Sequence, residues 1–361
     1  MDEFKPGLEG IVAFETEIAE PDREGGSLRY RGVDIEELVG SHPFEQVWGL
    51  LVDESYEPGL PAAEAYSGGG LTGNTPADLQ SVTARFGAEW KLDKLIDSSD
   101  DEAREDLRRL SAQFISIAAQ SARLADGMSD LVDRDAVEAG RTTAERFLLE
   151  WRGHADPKHV QALDTYCICT AEHGLNASTF TARIVASTGA DCAAALSSAV
   201  GALSGPLHGG APARVLPMLD AAAESGDPEA YVNELIERGE RLMGFGHRVY
   251  RAEDPRARLL KGTARELGAP RYDVADKLEQ AALVALRKKS PDRPLETNVE
   301  FWSAVVLDVA DVPPVLAPAM FACSRTAGWS AHILEQKKLS RLVRPSARYI
   351  GPGARPADSI Q

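Results

Sequence analysis

The sequence has few cysteines, and their spacing fits no metal or redox motif. Four cysteines occur in 361 residues, and Cys167 and Cys169 have one residue between them where a CxxC motif has two. Three of the four lie in helical, small-residue surroundings, where cysteine acts as a small buried hydrophobe. We therefore expect neither a zinc site nor a redox pair, and we expect a reducing, cytoplasmic location.

Long apolar stretches are missing as well. No uncharged stretch is long enough to cross a bilayer. The first ten residues open with acids and lack the basic and apolar regions of a signal peptide. These features predict that the protein neither spans a membrane nor carries a secretion signal.

Positive charge is also in short supply. Lysine and arginine together number 39 against 56 aspartates and glutamates, which gives a net charge of −17. Nucleic acid and anionic membranes are therefore disfavoured as partners, because both require basic patches. An acidic small molecule remains possible as a substrate wherever arginines cluster.

The pattern that is present is mainly helical, with a little β-structure near the N-terminus. Segments 10–20 and 25–32 are typical of short strands, and Asp34 is a candidate N-cap for the helix that follows. The glycine-rich segment 66–74 is predicted to be a surface loop, since no strand precedes it. Helices are predicted near 41–51, 74–88, 97–125, 212–224, 228–242, 255–267, 273–288, 299–310 and 315–337.

Two apolar segments fill the middle of the chain. Segment 161–188 is a long apolar run, and its pattern places His173 inside a helix. Segment 191–205 is rich in alanine, serine and glycine, which favours a tight contact with another helix or another subunit.

Two histidines occur in predicted loops between helices. His208 stands in "GPLHGG", whose glycines let a ligand approach the backbone, and His247 follows a Gly-x-Gly loop. Either one could equally be an incidental turn residue.

Two arginines occur where a positive charge is costly. Arg256 lies in the first turn of a predicted helix, where the helix dipole disfavours a cation. It is therefore either kept for an anionic ligand or paired with Glu253. Arg325 is the only charge in a long apolar stretch, so it needs an acidic partner or an anionic ligand.

Three further candidates have simple structural interpretations. His173 could be a core histidine, and Arg344, which has basic neighbours, could belong to a solvated face. Glu300 in "NVEFW" could be an ordinary acid in a first turn capped by Asn298. Taken together, however, carbonyl-polarising histidines, carboxylate-binding arginines and one basic carboxylate suit carbon–carbon bond formation between a carboxylate-rich ketone and a carbon acid. No two histidines fall at i, i+3 or i, i+4, so no metal is expected.

Six ordered segments stand out along the chain: "EHGLNASTFTARIVAST", "GALSGPLHGG", "MGFGHRVYRAEDPR", "NVEFWSAVVL", "SRTAGWSAHILEQ" and "RLVRPSARYIGP". Together they resemble the core of the citrate synthase family, and only residues 52–150 look generic. The resemblance implies an almost all-helical, two-domain homodimer. Residues 1–207 and 306–361 would form the large, dimer-forming domain, and residues 208–305 the small domain that closes over the active site.

The resemblance also implies the catalytic roles. His208 would hydrogen-bond the thioester oxygen of acetyl-CoA and stabilise the enol or enolate. His247 would polarise the carbonyl of oxaloacetate, and Glu300 would take the methyl proton. Acetyl-CoA would be a co-substrate, with no tightly bound cofactor.

The binding roles follow from the same resemblance. The oxaloacetate carboxylates would be held by His173, Arg256 and Arg325, with Arg344 reaching in from the second subunit. Arg251 falls near a family position that contacts CoA phosphate.

The chain departs from the family pattern at the predicted base, where the usual aspartate of "NVD" is replaced by Glu300. Pro212 replaces an asparagine after the histidine loop, and Phe301 and Trp302 bring larger rings. A misplacement near 1 Å can cost about a hundredfold in rate, so we expect Glu300 to affect the rate rather than the role. Three alternatives stay open: a citrate synthase, a 2-methylcitrate synthase that uses propionyl-CoA, and a silent paralogue that binds CoA or a dicarboxylate.

Overall fold

The computed structural model describes residues 4–8, 10–22, 26–66, 69–206, 208–209, 214–246, 253–291 and 295–357. This part of the chain is mainly helical, as the sequence predicts, and contains fifteen α-helices. They are α1 Ile35–Leu38, α2 Phe44–Asp53, α3 Thr75–Glu89, α4 Asp100–Ala125, α5 Arg134–Glu138, α6 Thr143–Arg152, α7 Pro157–Thr170, α8 Ala177–Ser187, α9 Cys192–Leu203, α10 Val215–Ser225, α11 Pro228–Glu237, α12 Pro255–Leu267, α13 Tyr272–Lys289, α14 Val299–Val309 and α15 Ala317–Leu339.

The β-structure in the described residues is one small antiparallel sheet in the order β1-β2-β3. Its strands are Ala19–Pro21, Leu28–Tyr30 and Val33–Asp34. The predicted strand over 10–20 is therefore wrong for most of its length, and only its last two residues pair with β2. Asp34 caps α1 as expected, because its side chain accepts a hydrogen bond from the Glu36 N–H.

Helix α15 lies at the centre of the core. It packs against α2, α4, α7, α8 and α9, and its side chains are buried on all sides along most of its length. Protein encloses such a helix on every side, so its polar side chains need partners within the core. The arginine, glycine, tryptophan and histidine that α15 carries between residues 325 and 332 therefore lie inside the protein.

The small-residue segment forms the tight contact that its composition predicts. Helix α9 packs closely on α3 and α8, and its alanines Ala193, Ala195 and Ala199 are fully buried. Side chains of this size let two helix backbones approach each other, so α8 is held firmly against the rest of the core.

Helices α10 to α14 pack mainly on one another. Helix α11 lies on α13, α12 lies on α14, and both α12 and α14 also contact α7. Helix α11 ends at Glu237, five residues before the predicted end at 242, because Gly239 adopts a left-handed conformation with φ 72°. The division into residues 1–207 with 306–361 and 208–305 stays a prediction.

The prediction that His173 lies inside a helix is wrong. Helix α7 ends at Thr170 and α8 begins at Ala177. The chain between them turns at Gly174, which has φ 72°, a conformation that favours glycine. The Asn176 side chain then accepts hydrogen bonds from the first N–H groups of α8 and caps it. His173 therefore stands in an interhelical turn.

All four cysteines are buried free thiols, and the packing role was predicted for three of them. In the described ranges no helix is long and apolar enough to cross a membrane. Within the same ranges, histidine, cysteine, aspartate and glutamate nowhere form a group of three that could hold a metal ion.

Candidate active site

The turn that carries His173 is held by contacts from two distant elements. The Tyr30 hydroxyl lies 2.9 Å from the Ile168 carbonyl oxygen and 3.1 Å from that of Glu172. From α15, the Gly328 N–H donates to the Ala171 carbonyl at 3.2 Å. A Cβ at position 328 would come within 2.7 Å of that carbonyl oxygen, so only glycine permits this approach.

Glu172, the residue before His173, is a fully buried carboxylate. Burial alone would raise its pKa, but His332 and Arg325 more than offset this and lower the pKa. His332 Nε2 lies 3.3 Å from Glu172 Oε1. Its Nδ1 lies 2.9 Å from Arg183 Nη1, which can only donate, so a neutral His332 carries its proton on Nε2 and donates it to Glu172.

The same buried network extends to the N-terminal segment. Arg183 forms an ion pair with Glu335. Glu335 Oε1 in turn accepts hydrogen bonds from Thr16 Oγ1 at 3.1 Å and the Glu17 N–H at 3.0 Å. A chain of polar contacts therefore links Thr16 and Glu17, which precede β1, to Glu172.

Arg325 is only 2% exposed and has no carboxylate within 4.0 Å in the described part of the chain. Its Nε donates to the Thr170 carbonyl at 2.8 Å, and its guanidinium lies over the Phe321 ring at 4.7 Å. Burial lowers the pKa of Arg325, while the charge of Glu172 opposes this. A buried cation without a directly bonded carboxylate is suited to an anionic ligand.

Arg256 is equally buried, and its partner is not the predicted Glu253. Its Nε and Nη2 donate to Asp254 Oδ1 and Oδ2 at 2.9 and 2.8 Å. Glu253 pairs instead with Arg258 at 2.6 Å. The predicted alternative, an ion pair between Arg256 and Glu253, is therefore wrong.

Glu300 lies at the start of α14, as the sequence predicts. The Asn298 side chain accepts a hydrogen bond from the Glu300 N–H at 3.0 Å and so caps the helix. Burial raises the pKa of the Glu300 carboxyl to about 7, opposed by Arg256 and Arg241 and assisted by Asp254. A carboxyl with this pKa is matched to proton transfer near neutral pH.

The segment before His247 is bonded to the segment before Glu300. Phe245 and Thr297 form an antiparallel bridge, and the Gly246 N–H donates to the Glu296 carbonyl at 2.8 Å. Asn298 adds two bonds, from its N–H to the Gly244 carbonyl at 2.9 Å and from Nδ2 to the Gly246 carbonyl at 2.9 Å.

Glycine at position 244 lets this loop lie close to the first turn of α14, because a Cβ there would come within 2.9 Å of the Phe301 Cα. His247 and Arg251 themselves lie outside the described residues, and so does Pro212.

His208 follows the C-terminus of α9, and its loop folds back so that the Gly209 N–H donates to the Leu203 carbonyl at 3.0 Å. Its Nε2 lies 2.8 Å from Ser178 Oγ and accepts from the Ser178 N–H at 3.3 Å. Trp329 Nε1 donates to the same Oγ at 3.2 Å. A neutral His208 with Nε2 as acceptor carries its proton on Nδ1.

The structure brings most of the predicted residues together. Arg256 is close enough for its charge to lower the pKa of both Glu300 and Arg325. In the same way, the charge of Arg325 lowers the pKa of Glu172, which precedes His173. Phe321 links Arg325 to His208, whose ring centroid lies 6.5 Å from that of Phe321.

Arg344 does not join this group. It lies in an exposed segment after α15.

Phe301 and Trp302, the larger rings that follow Glu300, are both fully buried in the packing around α14. Phe301 packs against Phe245, with ring centroids 5.3 Å apart. Trp302 Nε1 donates to Glu279 at 2.8 Å. These rings therefore fill the core behind the carboxylate.

Sequence reasoning missed several residues that hold the site. Ser178 lies inside the quoted segment "EHGLNASTFTARIVAST", and Phe321 lies three residues before "SRTAGWSAHILEQ". Both contact His208, which is far from either of them in the chain. Nothing in the sequence around Tyr30 indicates that its hydroxyl holds the turn after α7. Asp254 is recognisable only as a helix cap, and its bond to the Val299 N–H could not be inferred from spacing.

Comparison with known proteins gives a consistent result. The family model described as citrate synthase, C-terminal domain, matches residues 7–68 and 70–346. The putative citrate synthase 2 of Mycobacterium bovis is 56% identical over 99% of this chain and 95% of its own length. At lower identity, a 2-methylcitrate synthase of Shewanella oneidensis is 32% identical over 97% of this chain and 95% of its own length.

A solved structure shares the fold. The ternary complex of carboxymethyl coenzyme A and oxaloacetate with citrate synthase from Thermoplasma acidophilum superposes with a TM-score of 0.85 and 27% identity, over 99% of this chain and 100% of that one. The fold and the sequence matches define an acyltransferase-type condensing enzyme. The chain belongs to the citrate synthase family.

Proposed function

We propose that the protein condenses acetyl-CoA with oxaloacetate and releases citrate and CoA. The observation that carries the proposal is the arrangement around Glu300, a half-buried carboxyl whose pKa desolvation raises to about 7 against the opposing charge of Arg256. Such a group can remove a proton near neutral pH, provided that a weak carbon acid lies against it. The Thermoplasma relative binds oxaloacetate itself together with carboxymethyl coenzyme A, which is chemically close to acetyl-CoA.

In the first step Glu300 takes a proton from the methyl group of acetyl-CoA. The electron pair moves to the thioester oxygen, which accepts a hydrogen bond from His208. The proposed donor is Nδ1, because Nε2 accepts from the Ser178 N–H. Hydrogen bonds aimed at a developing oxyanion supply a large share of the catalysis in reactions of this kind.

In the second step the enolate carbon attacks the ketone carbon of oxaloacetate. His247 polarises the ketone carbonyl and passes a proton to its oxygen, which becomes the hydroxyl of the product. The new carbon–carbon bond gives a thioester of citrate, and water then cleaves the thioester to citrate and CoA. Arg256, Arg325, His173 and a partner subunit's Arg344 hold the oxaloacetate carboxylates. Arginine suits this role because its planar guanidinium binds a carboxylate through two parallel hydrogen bonds.

The remaining parts of the proposal concern assembly and closure. Arg344 is exposed in the single chain, which fits a role in the active site of a second subunit in a homodimer. Residues 208–305 would close over the substrates and exclude water from the enol. Arg251 would contact a CoA phosphate, acetyl-CoA would be a co-substrate without a tightly bound cofactor, and the enzyme would work in the cytoplasm.

The test measures CoA release by the purified protein with oxaloacetate and either acetyl-CoA or propionyl-CoA. We expect a higher kcat/KM with acetyl-CoA. Propionyl-CoA is the relevant competitor because a relative that is 32% identical is a 2-methylcitrate synthase. One methylene is worth only about 1–3 kcal/mol, or about 10–200-fold in kcat/KM. A preference for propionyl-CoA would replace acetyl-CoA in the proposal, and no CoA release with either would overturn it.

A further inference from the structure

Asp254 collects more hydrogen bonds than a helix cap requires. Its carboxylate is 1% exposed. Oδ1 accepts from the Arg256 N–H at 3.1 Å and from Arg256 Nε at 2.9 Å. Oδ2 accepts from Arg256 Nη2 at 2.8 Å and from the Val299 N–H at 3.0 Å. One side chain therefore caps α12, holds a buried guanidinium and satisfies the first N–H of α14.

Two other Asp-Pro pairs in the chain show what a simple cap does. Asp156 accepts from the Lys158 N–H at the start of α7. Asp227 accepts from the Glu229 and Ala230 N–H groups at the start of α11, each at 3.1 Å. Within the described ranges, the hydrogen bonds of both side chains stay within the first turn of their own helix. Asp254 differs because it reaches a second helix 45 residues further along the chain.

The second helix is the one that carries the proposed base. Val299 is the first residue of α14 and precedes Glu300, and the first N–H groups of a helix have no partner within it. Asn298 satisfies the Glu300 N–H and Asp254 satisfies the Val299 N–H. The start of α14 is thereby fixed both from its own cap and from α12.

We propose that Asp254 is a positioning residue that keeps the anion-binding guanidinium of Arg256 at a fixed place relative to Glu300. Oxaloacetate binding at Arg256 and proton removal at Glu300 then depend on the same carboxylate. The inference rests on the proposed function, since it takes Arg256 as a substrate ligand and Glu300 as the base.

The charge of Asp254 provides a readout that a purely structural role does not. Its negative charge helps to raise the pKa of Glu300, while Arg256 and Arg241 oppose it and burial contributes most. Removing the charge while keeping the shape should therefore lower the pKa of Glu300. The acid limb of the kcat/KM profile would move to lower pH.

The test variant is Asp254→Asn. Asparagine caps a helix about as well as aspartate, so the start of α12 is preserved. With the amide oxygen kept at the capping position, the amide nitrogen takes the place of Oδ2 and faces both Arg256 Nη2 and the Val299 N–H, and neither of these can accept a hydrogen bond. We expect kcat to fall about ten- to a hundredfold, KM for oxaloacetate to rise, and the acid limb to move to lower pH.

The matched control is Asp227→Asn, which makes the same exchange at a cap that touches one helix only. It should leave kcat, KM and the acid limb at their wild-type values. An Asp254→Asn protein with the kinetics and pH profile of the control would overturn the proposal. So would a loss of stability to urea without any movement of the acid limb.

Binding of oxaloacetate, measured by titration calorimetry, separates this proposal from the proposed function. If the wild type binds oxaloacetate but releases no CoA, the proposed reaction fails. Weaker binding by Asp254→Asn would then still support the link to Arg256, and equal binding would refute it. A wild type that does not bind oxaloacetate overturns both.

Should Asp254→Asn not fold, as judged by circular dichroism, Asp254→Ser takes its place. Failure of both variants to fold would assign Asp254 a structural role and overturn the proposal.

Discussion

Replacing Glu300 with glutamine removes the carboxyl while keeping its size, and it should change activity and stability in opposite directions. The pKa of Glu300 is raised to about 7 from an ordinary value of 4.5, chiefly by burial. The difference corresponds to about 3 kcal/mol of cost to the ionised form in the folded protein. Because Glu300 keeps partial exposure, that figure is an upper bound.

The direction of the stability effect follows from proton linkage. Between pH 4.5 and about 7 the folded protein binds the Glu300 proton more tightly than the unfolded chain does. The wild type therefore loses stability as the pH rises through this range. Glutamine does not titrate, so Glu300→Gln should exceed the wild type in free energy of unfolding by up to about 3 kcal/mol at pH 8, with the difference disappearing below about pH 4.5. Urea unfolding at one protein concentration over a pH series measures it.

The activity effect has its own pH signature. With a pKa of about 7, kcat/KM of the wild type should be about fivefold lower at pH 6 than at pH 7 and about twofold higher at pH 8. Glu300→Gln should release almost no CoA. Glu300→Asp should keep a measurable rate, reduced by up to about a hundredfold through misplacement of its shorter side chain.

Two results would refute this reasoning about Glu300. A glutamine variant with the wild-type kcat/KM would show that another group removes the proton. A stability difference between wild type and Glu300→Gln that stays constant from pH 5 to pH 8 would show that the carboxyl is not held in its protonated form by burial.

Two further predictions concern neighbouring parts of the site. Gly328→Ala should lower kcat/KM about a hundredfold, because its Cβ would push α15 away from Ala171 and Glu172 and so move the turn that carries His173. Steady-state kinetics would measure the loss. Unchanged kinetics in a folded variant would contradict the prediction. Arg344→Ala should raise KM for oxaloacetate. When this variant and Glu300→Gln are mixed, dissociated and reassociated, part of the activity should return, because each mixed dimer would contain one complete site. A mixture no more active than its components would argue against a shared site.

The sequence predicts most helix starts correctly because their signals are local. Asn298 and Asp227 each cap a helix within three residues of themselves, so composition and spacing are sufficient to find them. The break after Thr170 was missed because an apolar run looks the same in one long helix as in two helices with a buried turn between them. Only the left-handed Gly174 and the cap at Asn176 mark the break, and both are weak signals by themselves.

Candidate site residues were predictable from the sequence to the extent that their chemistry conflicts with their surroundings. Arg325 stands out as a charge in an apolar stretch, and the structure places it in the core with Phe321. The raised pKa of Glu300 was not predictable, because it depends on burial by distant elements. The hydrogen bond that Asp254 accepts from the Val299 N–H joins residues 45 apart in the chain, and no spacing rule indicates it.

The bridge between Phe245 and Thr297 has a consequence for how this site can change during evolution. It makes the loop before His247 and the start of α14 a single mechanical unit, so neither can be adjusted alone. A side chain at position 300 that is longer or shorter by one methylene cannot be accommodated by sliding the helix without also displacing the histidine loop. We therefore expect an exchange between aspartate and glutamate at this position to require adjustment of residues 244–246 as well as of the helix start.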